Sequence, residues 1–407
     1  MRVLHLNTHS SGGSHEYAVL LSTALAEQGI ESHVLSRDSQ LQPGKSFLDR
    51  VIRKAYVSFS AEPWHGTRRL FSPPRPEELQ GFDLVHLHTV ADWFNVPSWL
   101  ETLPSGIGAV VTLHDMWHFT GGCFLYRGCD RFTETCAPCP ILKMPLNRVL
   151  AKDEQRRKLQ AYRSRRVKFV ANSQWLADLA DLSAIVRACG GCRVIPPGID
   201  TDVFRPQEKA RCRAELGIPT DAFVIAAGAA SLTDINKNIP WLLEQLAGLS
   251  ELEDVLVVLA GEGTLEIPIG LDVRLTGGVG DRIKRAMFFN AADVFVSASL
   301  METYGLTLIE AMSCGIPVVA FRTGGVPEAV PDEGGILCEL LNASAFKTAI
   351  QKLRHSAELR NELGNAASKL VAARNTKSRF AAAFARVYEA FLYPVQTRLI
   401  EQSALVP

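Results

Sequence analysis

Short apolar runs bounded by turn residues recur along the chain, separated by longer stretches whose apolar positions follow helical spacing. In the first half the runs predict strands at Val3–Asn7, Ser32–Ser36, Leu84–His88, Ala109–Leu113 and Lys168–Ala171. Helical spacing falls near Glu16–Glu27 and Trp175–Leu182. The pattern breaks at Ile195–Pro206, where three prolines follow an apolar strand end, a composition typical of an interdomain connection. A second alternating set then begins, with strands near Phe223–Ala227, Val255–Ala260, Val273–Leu275, Val294–Ser297 and Val318–Ala320 and helices near Trp241–Leu249 and Ile283–Ala292. From Ala343 onward the pattern is helical. Strands alternating with helices predict an α/β protein of two doubly wound parallel sheets, residues 1–200 and 201–377. Between Gln40 and Gln80 the pattern dissolves, as in an insertion carrying binding contacts.

The densest candidate chemistry lies between Asn290 and Glu328. There a short strand leads into a loop bearing Glu302 and Gly305, then into a helix from Leu306 to Met312. A strand–loop–helix unit turns the helix's first N–H groups toward the carboxyl ends of the strands, where phosphates bind. Glu302 on the loop and Glu310 on the helix, separated by seven residues or about two helical turns, add carboxylates, which accept hydrogen bonds from hydroxyl groups. A phosphate has no use for them, whereas a ribose or hexose does. A sugar nucleotide fits both halves of this arrangement.

The run Ser299-Leu-Met-Glu302-Thr-Tyr-Gly-Leu-Thr-Leu-Ile-Glu310-Ala-Met resembles the signature of retaining glycosyltransferases of family 4. The resemblance implies the GT-B fold, two Rossmann-like domains facing across a cleft. It also implies a final helix, about 378–407, that crosses back onto the first domain. Glu302 then contacts the donor sugar and Glu310 the ribose, with Thr303, Tyr304, Gly305 and Leu306 in the donor loop. The activity implied is transfer of a hexosyl unit from a UDP- or GDP-sugar to a glycan or polyprenyl-diphosphate-linked acceptor, with retention and no cofactor for catalysis. A nucleotide-sugar epimerase, a phosphorylase, or a non-catalytic sugar-nucleotide-binding subunit shares the architecture and is the alternative.

Gly12-Gly13 follows the first strand and precedes a helix, where a backbone without side chains admits a ligand, although a plain tight turn has the same composition; the resemblance implies that the pair is donor-binding, near the donor phosphate and the acceptor. Lys237 follows the first strand of the second set, placed to reach a diphosphate. The family usually adds an Arg shortly after that strand's glycine, and Gly228-Ala-Ala-Ser-Leu-Thr233 has none. His114 ends a strand at the carboxyl edge of the first sheet, and the family places a His there near the donor sugar and reacting centre. His114, Glu302 and Lys237 are therefore the catalytic candidates. Asn172-Ser173 has the composition of a helix cap.

Cys123, Cys129, Cys136 and Cys139 stand in one loop without helical pattern. Four thiolates suit tetrahedral zinc, but only the last pair has the tight spacing of a zinc knuckle, so free thiols remain the alternative. The block from His114 to Cys123 resembles one found in bacterial surface-polysaccharide members of the family, such as those of lipopolysaccharide and exopolysaccharide synthesis. Cys189-Gly-Gly-Cys192 reads as a helix end with a glycine cap. Asp200-Thr-Asp202 reads as structural, and Gly44-Lys45-Ser46 lacks the upstream glycine of a phosphate loop.

The 407 residues carry 43 basic and 43 acidic side chains, a balance that argues against nucleic acid as partner. Residues 1–200 hold 23 Lys+Arg against 19 Asp+Glu, and the remainder 20 against 24. Ten basic residues fall between Lys143 and Lys168, which suits either a solvated helix face or peripheral contact with an anionic membrane. No apolar run suggests a membrane span or leader, so the expected location is cytoplasmic, at most at the inner face of the membrane.

Overall fold

The computed structural model describes residues 1–40, 64–67, 73–91, 93–143, 148–249 and 253–393. Most of the expected Gln40–Gln80 insertion, with Gly44–Ser46, lies outside them.

Twelve strands in the described residues form two six-stranded parallel sheets. The first is ordered β2-β1-β3-β4-β5-β6, from β1 (Arg2–Asn7), β2 (Glu31–Ser36), β3 (Leu84–Leu87), β4 (Gly108–Leu113), β5 (Val167–Ala171) and β6 (Cys192–Val194). The second is ordered β12-β11-β10-β7-β8-β9, from β7 (Phe223–Ser231), β8 (Val255–Glu262), β9 (Asp272–Leu275), β10 (Val294–Ser297), β11 (Val318–Phe321) and β12 (Gly335–Cys338). The chain divides into two compact units, Met1–Pro196 with Phe380–Pro407, and Pro197–Arg379.

Strand periodicity explains why the sheets carry helices on both faces. In β7, Val224 and Ala226 join one core, while Phe223, Ile225 and Ala227 join the other. β4 does the same, sending Ala109, Val111 and Leu113 to one side and Val110 to the other. Both faces are apolar, so the strands read as continuous hydrophobic runs rather than alternating ones. The last helix, Lys377–Leu392, returns to the first unit, where Phe380, Phe384, Tyr388 and Phe391 pack in one core with Val3, Tyr17 and Val110.

Each sheet has one point where strand order reverses. It falls between β1 and β3 in the first and between β7 and β10 in the second. Loops leaving the carboxyl ends of two such strands diverge to opposite faces and leave a crevice, the usual ligand site of an open α/β sheet.

Candidate active site

At the second sheet's crevice, the loops after β7 and β10 are tied together. Asn236, after β7, accepts from Leu300 N–H through its carbonyl at 2.8 Å and donates through Nδ2 to Met301 O at 2.8 Å. Lys237 Nζ then donates to Glu302 Oε1 at 2.6 Å. Burial works against the charge on Lys237, but the adjacent Glu302 carboxylate outweighs it, and the ammonium ends above its ordinary pKa. A turn after β11 closes the loop from the other side. Thr323 Oγ1 donates to Leu300 O at 2.8 Å and Gly325 N–H to Glu302 O at 2.9 Å. Gly324 lies so close that a Cβ there would stand 2.1 Å from Glu302 O.

Gly305, in the left-handed region at φ +98°, turns the chain into the helix Leu306–Ser313. Glu310 on that helix is buried at 7% exposure and is held from two directions by Arg285, with Nε to Oε2 at 3.1 Å and Nη2 to Oε1 at 3.0 Å. Such a fork fixes the plane of the carboxylate as well as its charge. The ring of Tyr304 is buried and its hydroxyl accepts from Asn375 Nδ2 at 3.1 Å. Arg285 and Asn236 were not singled out from the sequence, since no local spacing connects Arg285 with a carboxylate 25 residues on. The Gly324-Gly325 pair was a readable signal that went unused.

In the first sheet, Gly12 stands at the start of the helix Gly13–Ala26 with φ +85°, a conformation that favours glycine. His114 follows β4 and is packed edge-on against Tyr17 at 4.7 Å between ring centroids. It is the last of a line of histidines: His5 Nδ1 lies 3.0 Å from His88 Nε2, and His88 Nδ1 lies 3.0 Å from His114 Nε2. Burial lowers the pKa of His5 and of His114 to about 3, so both are neutral at pH 7. His86 spends both nitrogens nearby, on Tyr388 Oη and Thr112 Oγ1, each at 2.7 Å. His5, His86 and His88 cluster tightly enough for a metal, but these commitments leave His86 no lone pair to offer one. Asp115, whose Oδ1 accepts from Trp117 N–H at 2.7 Å, is pushed by burial up to about 6.

All four loop cysteines line one cavity together with Trp64, Phe132 and Ala151. No three of their sulfurs lie within 4.8 Å of one another, whereas a tetrahedral ZnS4 site holds sulfurs about 3.8 Å apart. Burial raises Cys123 to about 11 and Cys136 to about 12, so these thiols are protonated at pH 7. Cys189 ends the short helix Ala184–Ala188, and Gly190 and Gly191 follow at φ +88° and +85°. Ser173 caps its helix by accepting from Leu176 N–H. Asp200 accepts from Asp202 N–H, and Lys377 pairs with Asp202 at 3.1 Å.

The basic stretch is partly consumed by its own fold. Lys158 is fully buried on the helix Leu150–Ser164 and donates to Trp117 O and Thr120 O. Arg156 and Arg157 pair with Asp153, and Arg165 and Arg166 bond backbone carbonyls. Among the described residues no helix is long and apolar enough to cross a membrane.

Two parallel doubly wound units, one carrying two cation-paired carboxylates on the loop and helix that follow β10, have the architecture of the GT-B class of glycosyltransferases. Residues 11–203 match the profile described as Glycosyltransferase Family 4, and residues 223–356 that of Glycosyl transferases group 1. A D-inositol 3-phosphate glycosyltransferase from Mycobacteroides abscessus is 36% identical over 377 residues, 85% of this chain and 78% of the relative. Another of that name from Catenulispora acidiphila is 28% identical, covering 94% and 90%. Among solved structures, sucrose-phosphate synthase from Thermosynechococcus elongatus aligns with a TM-score of 0.67 at 20% identity, covering 95% of this chain and 98% of that one. Anabaena HepE in complex with UDP and glucose aligns at 0.63 and 17%, covering 96% and 100%. The chain belongs to glycosyltransferase family 4.

Proposed function

We propose that the protein transfers a hexosyl unit from a nucleotide diphosphate sugar to an acceptor hydroxyl with retention of configuration. The observation that carries this reading is the crevice between β7 and β10, where Lys237, Glu302 and Glu310 stand on adjoining elements. Residues 201–377 bind the donor, and residues 1–200 with the final helix bind the acceptor. The two ribose hydroxyls donate to Glu310 while Arg285 keeps that carboxylate oriented. Lys237 turns from Glu302 to the diphosphate, whose charge grows as the glycosyl bond breaks. Glu302, thus released, accepts from hydroxyls of the donor sugar, and His114 contacts the same sugar. One lysine does here what a Lys and Arg pair does in many relatives. Binding energy is spent on orientation, and no nucleophilic side chain is invoked.

For the acceptor, the His114–Cys123 block supports a glycan or lipid-linked glycan of surface-polysaccharide synthesis, with the enzyme at the inner face of the cytoplasmic membrane. The names of the full-length relatives favour a second reading, a phosphorylated inositol. Thermal stabilisation by a panel of UDP- and GDP-sugars without divalent metal tests the donor site. A shift selective for one nucleotide and lost in Glu310→Ala is expected, and no shift with any of them overturns the reading. Transfer assays with inositol phosphate against lipid-linked glycans then separate the acceptors.

A further inference from the structure

The line His5–His88–His114 begins in the sheet interior and ends at its carboxyl edge. His5 and His88 are wholly buried, on β1 and just after β3. His5 and His114 are neutral at pH 7, and burial holds His88 neutral as well. A neutral imidazole carries a single N–H, so a line of three joined by two hydrogen bonds has two self-consistent directions.

In the first, His114 Nε2–H donates to His88 Nδ1 and His88 Nε2–H donates to His5 Nδ1. The His5 proton is then on Nε2. That atom is buried and has no hydrogen-bond partner among the described residues, so an N–H is orphaned. In the second, His5 Nδ1–H donates to His88 Nε2 and His88 Nδ1–H donates to His114 Nε2. The atom left over at the inner end is a bare lone pair, and the outer ring is protonated on Nδ1. Orphaned buried N–H groups are rarer in folded proteins than under-satisfied acceptors, which selects the second direction.

The rings beside the line do not branch it. His86 is satisfied by Tyr388 and Thr112. His118 Nε2 lies 3.2 Å from His88 O, a group that can only accept, so His118 carries its proton there and its Nδ1 accepts from Tyr162 Oη at 2.6 Å. This bond also ties down the backbone of His88.

We propose that His5 and His88 are positioning residues that hold His114 in the Nδ1–H tautomer, so that His114 meets the sugar as a hydrogen-bond donor rather than as a base. The catalytic part of this rests on the reading of His114 under Proposed function, whereas the tautomer does not.

Long-range 1H–15N correlation spectra of protein labelled at histidine nitrogen read the tautomer without substrate. The expected result is a His114 ring protonated on Nδ1, assigned by its loss in His114→Ala. A proton on Nε2 overturns the proposal. Activity supplies the second arm. His5→Asn keeps a donor near the Nδ1 position and His5→Leu removes it. We expect His5→Leu to lower kcat about tenfold, the order of one oriented hydrogen bond, with nucleotide diphosphate affinity unchanged. His5→Asn is expected to recover most of that loss. Wild-type kcat in His5→Leu, or equal kcat in the two variants, overturns the positioning role. Failure of the donor-site reading is recognised separately, as absence of any nucleotide-dependent thermal shift.

Discussion

Lys237 donates to Glu302 at 2.6 Å between loops that leave two strands adjacent in the sheet and 65 residues apart in the chain. Each side chain is partly shielded, at 30% and 17% exposure, so removing one partner leaves the other charge poorly solvated. Lys237→Met or Glu302→Gln is expected to cost about 1–2 kcal/mol, and the double variant less than the sum, with a coupling of about 1 kcal/mol. Urea denaturation of the four proteins measures it. Strict additivity would mean that the pair contributes no coupling in solution. Lys237→Met should also weaken binding of nucleotide diphosphates about tenfold while sparing the free nucleoside.

Arg285 grips both oxygens of Glu310. A lysine in its place keeps the charge but not the fork, and the carboxylate then loses its fixed plane. Arg285→Lys is expected to weaken nucleoside diphosphate binding about tenfold with a melting temperature within a few degrees of wild type. Calorimetric titration of a 2′-deoxynucleotide sharpens the test. Wild type should discriminate against it, and the variant should discriminate less.

Asp115 gives a pH signature of known sign. Burial raises its carboxyl from 3.8 to about 6, so between those values the folded state holds more protons than the unfolded one. Its contribution is therefore unpenalised below pH 4, and its ionisation costs stability as pH rises through 6. Asp115→Asn retains an oxygen for the Trp117 N–H and removes the penalty. The expected gain is about 1–3 kcal/mol at pH 7.5 and near zero at pH 4. Equal gains at the two pH values would locate the effect in packing instead.

The strands were legible because parallel sheets covered on both faces demand apolar runs. Val294–Ser297 has the bounds expected of it, and β4 begins one residue earlier than Ala109. The short edge strands β6 and β12 were not, since Cys192–Val194 and Gly335–Cys338, at three and four residues, are too short to establish a period. The helix Leu150–Ser164 was hidden by its charge, and the fully buried Lys158 within it runs against every patterning rule. Motif spacing located Glu302 and Glu310 on their loop and helix. It could not reveal that each already has a cation, because Lys237 and Arg285 reach them through the fold rather than along the chain.

Two glycines of opposite surroundings separate backbone strain from steric collision. Gly12 has φ +85° and open space around a would-be Cβ, whereas Gly324 has φ +55° and would drive a Cβ to 2.1 Å from Glu302 O. Gly12→Ala therefore carries only the conformational penalty, about 1–3 kcal/mol for a backbone at ψ 174° that is essentially confined to glycine. Gly324→Ala must in addition push the Glu302 backbone away, and the Gly325 N–H bond to Glu302 O would be strained with it. Since the Glu302 side chain is anchored by Lys237 and the preceding Leu300 and Met301 by Asn236, the displacement is expected to pass into the crevice rather than into the core. Gly324→Ala is thus expected to reduce donor affinity by tenfold or more, about 1.4 kcal/mol, for a modest change in melting temperature. Gly12→Ala should lower the melting temperature by a few degrees and reduce donor affinity less than Gly324→Ala does. Thermal melts and donor titrations on the same two preparations decide it, and a donor affinity unchanged in Gly324→Ala would show that the loop bearing Glu302 has room the structure does not display.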